Sequence, residues 1–156
     1  MKNTIVEVEL PPISIIIPAY NEEKWISTTV SSILKSGFPC EVIVVNDGST
    51  DTTSETLAKF GDPVKVISHK TNRGKGLALV SGIREATGVI IVFCDAHLLG
   101  LNYYHLLSLV LPLVLGLAKA SLGKGIMEEI SVTSAIAPSL ILTNQRAYFR
   151  EDLIPS

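Results

Sequence analysis

The sequence predicts an α/β fold, a mostly parallel sheet flanked by helices, because strand-like and helix-like segments alternate along much of its length. Over residues 13–97, short runs rich in valine and isoleucine alternate with helical segments about every 25 residues, which is typical of β-α-β units. The run 88–94 is apolar without alternation, as expected for a strand covered on both faces. Ligands of open α/β sheets bind beyond the carboxyl ends of the strands. The N-terminal half is therefore predicted to be Rossmann-like, with functional residues in the loops after its strands.

The first two β-α units are predicted within residues 13–60. Residues 13–17 form an aliphatic strand, and a turn at 18–23 leads into a helix from about Glu22 to Leu34. Asn21 is expected to cap this helix, and the acidic residues beside it suit the positive helix start. The second strand at 41–45, the loop 46–51 and the helix 52–60 repeat the pattern.

The next two β-α units lead to an acid and a histidine that could bind a metal ion or a phosphate. Strands are predicted at 64–68 and 89–94, and the helix between them opens at 72–76 and runs to about residue 86. Asp95 and His97 follow the last strand, and in extended backbone they lie on the same side. Both can therefore reach one metal ion or one phosphate group, although two candidate ligands do not complete a coordination sphere.

The chain beyond residue 98 gives weaker signals. A helix is predicted near 103–117, a glycine-containing link at 123–125, a strand at 138–142 and a polar end at 144–150. Residues 98–118 contain no Asp, Glu, Lys or Arg, so this stretch is expected to face the core or a second copy of the chain, or to make a peripheral membrane contact. Polar residues and a proline interrupt it, which disfavours a spanning helix of about 20 apolar residues.

Composition predicts one domain at 13–156, preceded by a leader at 1–12 that ends in two prolines. The 156 residues are 47% hydrophobic, enough for one sizeable core. With a net charge of −2 and no dense basic surface, nucleic acid is not an expected partner. Cys40 and Cys94 lack Cys-x-x-Cys spacing, which favours reduced thiols in the cytoplasm.

Charged residues at the predicted strand ends suggest a common site. Loops after three strands carry Glu22, Asp47 and Asp95, and a fourth loop carries Arg73 and Lys75. If these residues lie around one edge of the sheet, they can bind a nucleotide diphosphate. Carboxylates accept hydrogen bonds from the base and the ribose, while a metal ion and a lysine neutralise the phosphate charge.

Each of these features has a structural alternative when it is taken alone. Glu22 can simply stabilise a helix start, and Asp47-Gly48 can be a turn pair. The stretch 73–76 lacks the spacing of a P-loop and can be a solvated loop. His69 and His105 are expected to have no catalytic role. The ordered occurrence of the acids and cations at strand ends favours the functional interpretation.

Four motifs together resemble the family 2 glycosyltransferases. They are Ile-Ile-Ile-Pro-Ala-Tyr-Asn-Glu-Glu at 15–23, Val-Ile-Val-Val-Asn-Asp-Gly-Ser-Thr-Asp at 42–51, Asn-Arg-Gly-Lys-Gly at 72–76 and Phe-Cys-Asp-Ala-His at 93–97. The resemblance covers about residues 13–100. Residues 95–101 and 145–147 are most similar to the glucosyl-phosphoglycerate synthases and the polyprenyl-phosphate sugar synthases.

This resemblance implies the GT-A (nucleotide-diphospho-sugar transferase) fold, with a donor-binding half at 13–100 and a shortened acceptor half at 101–156. It implies a donor nucleotide site formed by Pro18, Ala19, Tyr20, Glu22, Asp47, Gly48, Arg73, Lys75 and Asp95. It also implies a metal-binding Asp-x-Asp motif at Asp95 and position 97, where this chain has His97. Imidazole suits Mn²⁺ better than Mg²⁺, so a bias toward manganese is expected.

The function implied is metal-dependent transfer of a sugar, expected to be a hexose, from a UDP- or GDP-linked donor to an unidentified acceptor. The enzyme would work in the cytoplasm or at the cytosolic face of a membrane. The alternative is a nucleotide-sugar-binding module without transfer activity, which His97 and the short acceptor half suggest. No catalytic base can be assigned. A dinucleotide-dependent oxidoreductase is disfavoured, because no Gly-x-Gly-x-x-Gly follows a strand.

Overall fold

The computed structural model describes residues 8–122 and 145–154 of the chain. Strands and helices alternate through the first of these ranges, as the sequence predicts. The elements in chain order are β1 (Ile13–Ala19), α1 (Ile26–Lys35), β2 (Glu41–Asn46), α2 (Thr53–Ala58), β3 (Val64–Ser68), α3 (Lys75–Glu85), β4 (Ile90–Phe93), α4 (Tyr103–Val114), β5 (Ala120–Leu122), β6 (Arg146–Phe149) and a 3-10 helix (Arg150–Asp152).

The described strands form one sheet in the order β3-β2-β1-β4-β6-β5. The pairs β1–β2, β1–β4 and β2–β3 are parallel, whereas β6 is antiparallel to both β4 and β5. Ala19 lies beside Asn46, and Asn46 lies beside Ser68, so β1, β2 and β3 end at the same edge. The predicted α/β class with a mostly parallel sheet is confirmed, and the loops after these strands meet at one edge.

Both faces of the sheet are covered, which explains the unalternating apolar runs. On one face, Ile15, Ile17 and Val92 pack with residues of α1 and α4. On the other face, Ile16 and neighbouring strand residues pack with α3. Neither face of the central strands meets water, so their side chains are apolar at nearly every position.

The start of α1 differs from the prediction. The helix begins at Ile26 rather than Glu22, and Glu22 O accepts hydrogen bonds from the amides of Trp25 (3.0 Å) and Ile26 (2.9 Å) in a turn. Asn21 does not cap the helix; its φ is 53°, and its Oδ1 accepts from Thr50 N at 2.8 Å. The Asn21 side chain therefore bonds to the neighbouring loop instead of capping α1. Both interactions are available to asparagine, because its side chain readily forms hydrogen bonds with backbone groups.

Helix α4 is shorter than predicted and ends at Val114. Asn102 caps its start by accepting from His105 N at 3.0 Å, and Pro112 lies inside it. Within 8–122 and 145–154, no helix combines the length and the apolar character needed to cross a bilayer.

The segment predicted as a polar end, 144–150, contains strand β6, which the sequence analysis did not predict. Ala147 is fully buried and pairs with Val92 of β4. Its neighbours are only partly covered, so the segment carries little local apolar signal and its position depends on the sheet edge that it meets. The predicted link at 123–125 and strand at 138–142 lie outside the described residues.

Both cysteines are free, as predicted. Burial raises the pKa of Cys40 to about 11. Burial, with a smaller contribution from the negative charge of Asp95, raises the pKa of Cys94 to about 12. The two thiols are therefore protonated and poorly nucleophilic at neutral pH.

Candidate functional site

A cavity of about 360 Å³ lies at the edge of the sheet where β1, β2 and β4 end. Residues from the end of β1, from four separate loops and from the start of α3 form its wall. They are Pro18, Ala19, Tyr20, Glu22, Asp47, Asn72, Gly74, Lys75, Ala78, Asp95, Ala96 and His97. The structure thus brings together the predicted site residues from all four motifs, except Gly48 and Arg73, which are not among the described residues lining this cavity.

Asp47 is the most extensively hydrogen-bonded acid at the cavity. Its amide donates to Ala19 O at 2.8 Å, which fixes the backbone, and its side chain is only 4% exposed. Oδ1 accepts from His69 Nδ1 (2.6 Å) and Arg73 N (3.0 Å), and Oδ2 accepts from Gly74 N (2.8 Å). Burial alone would raise the pKa of Asp47, but these hydrogen bonds outweigh it and lower the pKa, so the carboxylate is ionised at neutral pH.

Sequence analysis did not place His69 at the site. Its side chain is 8% exposed, and besides Asp47 it contacts Ser81 Oγ of α3 through Nε2 at 2.9 Å. The sequence feature that could have identified it is its position directly after β3. Asp47 has the same position after β2, so the two side chains lie side by side if the two strands are neighbours. That signal has meaning only once the two strands are known to be adjacent.

Lys75 and Asp95 form an ion pair across the cavity. The Nζ of Lys75, at the start of α3, lies 2.6 Å from Asp95 Oδ1, and the side chains are 56% and 6% exposed respectively. The carboxylate is fixed at the end of a buried strand, whereas the lysine reaches it from solvent. The ammonium can therefore remain near Asp95 and also meet an anionic ligand that enters the cavity.

His97 lies between two carboxylates. Its Nδ1 is 3.6 Å from Glu22 Oε1 and its Nε2 is 3.9 Å from Asp95 Oδ2, and the imidazole is 55% exposed. In the part of the chain that the structure describes, no three His, Cys, Asp or Glu side chains are grouped closely enough to form a metal site by themselves. A carboxylate and an imidazole on one side fit a partial coordination set, which oxygen atoms of a ligand or water would complete.

Gly48 and Arg73 support the cavity from behind. Gly48 has a φ of +71°, and a Cβ there would lie 2.3 Å from the carbonyl carbon of Thr71 and 2.5 Å from Asn72 N. The glycine thus allows the loop after β2 to pack against the loop before α3. Arg73 contributes its backbone amide to Asp47. Direct nucleotide contact by either residue stays a prediction.

The loop after β1 is tied to the loop after β2 and to the start of α2. The amide of Glu22 donates to Thr53 Oγ1 at 2.9 Å, and Thr52 N donates to the Glu23 carboxylate at 3.1 Å. Burial raises the pKa of Asp51, but hydrogen bonds from the hydroxyl and amide of Thr53 and from other amides lower it overall. These contacts hold the backbone that presents Glu22 to the cavity.

Comparison with known proteins identifies the family. Residues 14–113 match Glycosyl transferase family 2. The uncharacterized glycosyltransferase YaiP of Escherichia coli is 41% identical over 88 residues, covering 54% of this chain and 22% of that protein. The chain therefore spans only about a fifth of that relative's length.

Two solved structures extend the comparison to the fold. The mannosyltransferase PcManGT from Pyrobaculum calidifontis, in complex with GDP-Man and Mn²⁺, has a TM-score of 0.60 and 31% identity, covering 65% of this chain and 32% of that chain. The glucosyl-3-phosphoglycerate synthase of Mycobacterium tuberculosis, in complex with UDP, has a TM-score of 0.70 and 25% identity, covering 90% of this chain and 57% of that chain. Together with the sheet order and the matched motifs, these similarities show that the chain belongs to glycosyltransferase family 2 and has the GT-A fold.

Proposed function

We propose that this chain binds a nucleotide-diphosphate sugar in the cavity and takes part in transfer of the sugar to an acceptor. The observation that carries the proposal is the convergence of Glu22, Asp47 and Asp95, from three loops, and Lys75, from the start of α3, on one cavity at the carboxyl edge of the sheet. The GDP-Man and UDP complexes of the two similar structures support a GDP- or UDP-linked donor.

The nucleoside is proposed to lie between the loops after β1 and β2. A carboxylate offers about four acceptor positions, and three of those on Asp47 are filled by His69, Arg73 and Gly74. One position on the carboxylate remains for an N–H group of the base. Pro18, Ala19 and Tyr20 supply the apolar and aromatic wall beside it.

The diphosphate is proposed to lie beside Lys75, Asp95 and His97. In the transfer reaction an acceptor oxygen forms a bond to the anomeric carbon, and a hydroxyl acceptor gives up its proton to a base or to solvent. The bond from that carbon to the diphosphate breaks, and nucleoside diphosphate leaves with the bonding electron pair. The Lys75 ammonium is placed to stabilise the negative charge that develops on the leaving group. Asp95 and His97 would hold a divalent cation, expected to be Mn²⁺, which supplies further charge neutralisation when bound.

Binding and turnover can be measured separately with UDP- and GDP-sugars in the presence of Mn²⁺. We expect thermal stabilisation by the matching nucleotide and release of nucleoside diphosphate. Lys75→Ala should weaken nucleotide binding by about 10- to 100-fold, since hydrogen bonds to charged groups contribute about 1.5–3 kcal/mol.

Lys65→Ala provides the matched control, because Lys65 pairs with Glu85 at 2.7 Å and is not a cavity residue. Nucleotide binding without release of nucleoside diphosphate would favour the alternative, a binding module without transfer activity. An absence of binding by any of the tested nucleotides would contradict both proposals.

The metal preference can be tested at His97. We expect Mn²⁺ to strengthen nucleotide binding by the native chain more than Mg²⁺ does, and His97→Asp to reduce that difference, because Mg²⁺ prefers oxygen ligands. Calorimetric titration of the nucleotide with each metal gives the comparison, with His105→Asp on α4 as control. Unchanged metal dependence in His97→Asp would remove His97 from the proposed metal site.

A peripheral contact through residues 98–118 is proposed as well, either with the cytosolic face of a membrane or with a second copy of the chain. Exposed apolar side chains in and near α4 support it: Leu99 is 62% exposed, Tyr104 77%, Leu115 49% and Leu117 77%. The free thiols of Cys40 and Cys94 support a cytoplasmic location.

A further inference from the structure

Three polar side chains form a hydrogen-bonded series that begins at the cavity wall with Asp47 and continues behind it. Asp47, at the end of β2, is joined to His69, at the end of β3, at 2.6 Å, and His69 is joined to Ser81 of α3 at 2.9 Å. The Asp47 and His69 side chains are only 4% and 8% exposed. Buried polar side chains need hydrogen-bond partners. Here Asp47 is the partner of one ring nitrogen of His69, and Ser81 is the partner of the other.

The ionisation of Asp47 determines the direction of these hydrogen bonds. A carboxylate only accepts, so His69 Nδ1 carries the hydrogen and donates it to Asp47 Oδ1. In a neutral imidazole the opposite nitrogen, Nε2, then accepts from the Ser81 hydroxyl. The ring is thus held from both ends, with its donor aimed at Asp47.

The series also reaches the loop that begins α3. The backbones of Asp47 and His69 are fixed by the sheet, through Ala19 O at 2.8 Å and Asn46 O at 2.9 Å respectively. Beyond the sheet, Asp47 accepts from the amides of Arg73 and Gly74. The orientation of the Asp47 carboxylate therefore sets the position of these two amides.

Lys75 follows this loop directly. Gly74 precedes α3 with a φ of 89° and has no side chain that could cap the helix. Its amide donates instead to the side chains of Asp47 and Asn72. One residue further on, Lys75 places its Nζ 2.6 Å from Asp95 Oδ1 at the cavity. A change in the position of the His69 imidazole would therefore shift the Asp47 carboxylate and the loop 73–74. The Lys75 ammonium, which is proposed to contact the diphosphate, would move with them.

An Asp-His-Ser series can also serve nucleophilic catalysis. Here neither His69 nor Ser81 is among the described residues that line the cavity, and Ser81 belongs to the helix packed on the sheet. The hydroxyl therefore has no access to a ligand there, and the geometry favours positioning over catalysis.

We propose that His69 is a positioning residue for the donor site, which orients Asp47 so that the loop 73–74 and Lys75 are held in place for a nucleotide diphosphate, with Ser81 as the second anchor of its ring. The proposal rests on the proposed function for the identity of its ligand. The effect of His69 on the amides of Arg73 and Gly74 does not depend on that ligand, so it can be measured in the protein without nucleotide.

Two substitutions of His69 separate the two ring nitrogens. Asparagine places its amide near the position of Nδ1 and retains the donor to Asp47, whereas glutamine reaches toward the position of Nε2 and loses that donor. We expect His69→Gln to weaken UDP or GDP binding by about tenfold and to speed hydrogen exchange at Arg73 N and Gly74 N by a similar factor. His69→Asn should remain close to the native chain in both measurements.

His105→Gln on α4 is the matched control and should leave exchange and binding unchanged. The proposal is overturned when folded His69→Gln shows native exchange at Arg73 and Gly74, or when exchange increases equally throughout β3 and α3. If His69→Gln does not fold, Ser81→Ala decides: local acceleration at the two amides supports the proposal, and native exchange overturns it. A native chain that binds neither UDP nor GDP contradicts the proposed function, while the exchange data still decide whether His69 holds the loop.

Discussion

Individual carboxylates tie distant parts of this chain together. The Glu41 side chain, at the start of β2, accepts from Ser14 Oγ at 2.5 Å and from Thr87 N at 3.0 Å, and Ser14 Oγ in turn accepts from Gly88 N at 2.8 Å. Burial raises the pKa of Glu41, but the hydrogen bonds from Ser14 and Thr87 and the charge of Lys65 lower it overall. The beginnings of β1 and β2 and the segment leading into β4 therefore share one anionic acceptor.

This arrangement predicts a pH-dependent loss of stability in Glu41→Gln. A carboxyl group whose pKa is lowered by folding stabilises the protein above its unfolded value of about 4.3, and the contribution disappears as the pH falls through the folded value. We expect the substitution to lower the free energy of unfolding by about 1–2 kcal/mol at neutral pH. Urea unfolding at about pH 7 and about pH 3.5 measures the difference, which should shrink at the lower pH. Glu9→Gln is an exposed control, and an equal loss at both pH values would contradict the assignment.

Helix α3 illustrates how an element is fixed by one close contact. Gly82 lies in the buried face of the helix, and a Cβ at this position would come within 2.4 Å of Ile16 Cγ2 on β1. The helix start carries Lys75, so the distance between α3 and the sheet also determines how the cavity wall is placed. Sequence patterns predict α3 well, but they do not indicate which of its two glycines is packed against the sheet.

Paired glycine substitutions test this packing within the same helix. Gly82→Ala is expected to destabilise the protein by about 1–3 kcal/mol through overpacking, although alanine favours helix formation by roughly 1 kcal/mol. Gly76→Ala has no heavy atom within 4 Å of its Cβ and should be neutral or stabilising. Unfolding in urea compares the two variants. A Gly82→Ala protein as stable as Gly76→Ala would show that α3 can shift without cost.

At the scale of the whole molecule, the surface carries two features of different chemistry. The carboxyl edge of the sheet carries the charged cavity, whereas apolar side chains are exposed in and around α4 and β5; Leu117 is 77% exposed and Leu122 64%. A single exposed leucine is ordinary in a folded protein, but several close together in sequence suggest a contact surface. This is the basis of the proposed peripheral contact.

We expect the double variant Leu115→Ser and Leu117→Ser to lose that contact. Replacing two leucines that the contact would bury should weaken association by at least roughly 100-fold, since each contributes about 1.5–3 kcal/mol when buried. Flotation with vesicles of phosphatidylglycerol and phosphatidylethanolamine measures membrane binding, and sedimentation measures self-association. Leu77→Ser on α3, at a leucine with 46% exposure, is the control. A native chain that neither floats nor self-associates would contradict the proposal.

The sequence by itself determined the alternation of strands and helices, the parallel core and most of the residues around the cavity. These features have local causes: apolar runs predict buried strands, and polar residues after them predict loops at one sheet edge. Only the tertiary structure decided the Asp47–His69 contact, the bond from Asn21 to Thr50 and the pairing of Ala147 with Val92. Each of these joins residues far apart in the chain, and a hydrogen bond or strand pair of that kind leaves no periodic signal in the sequence on either side.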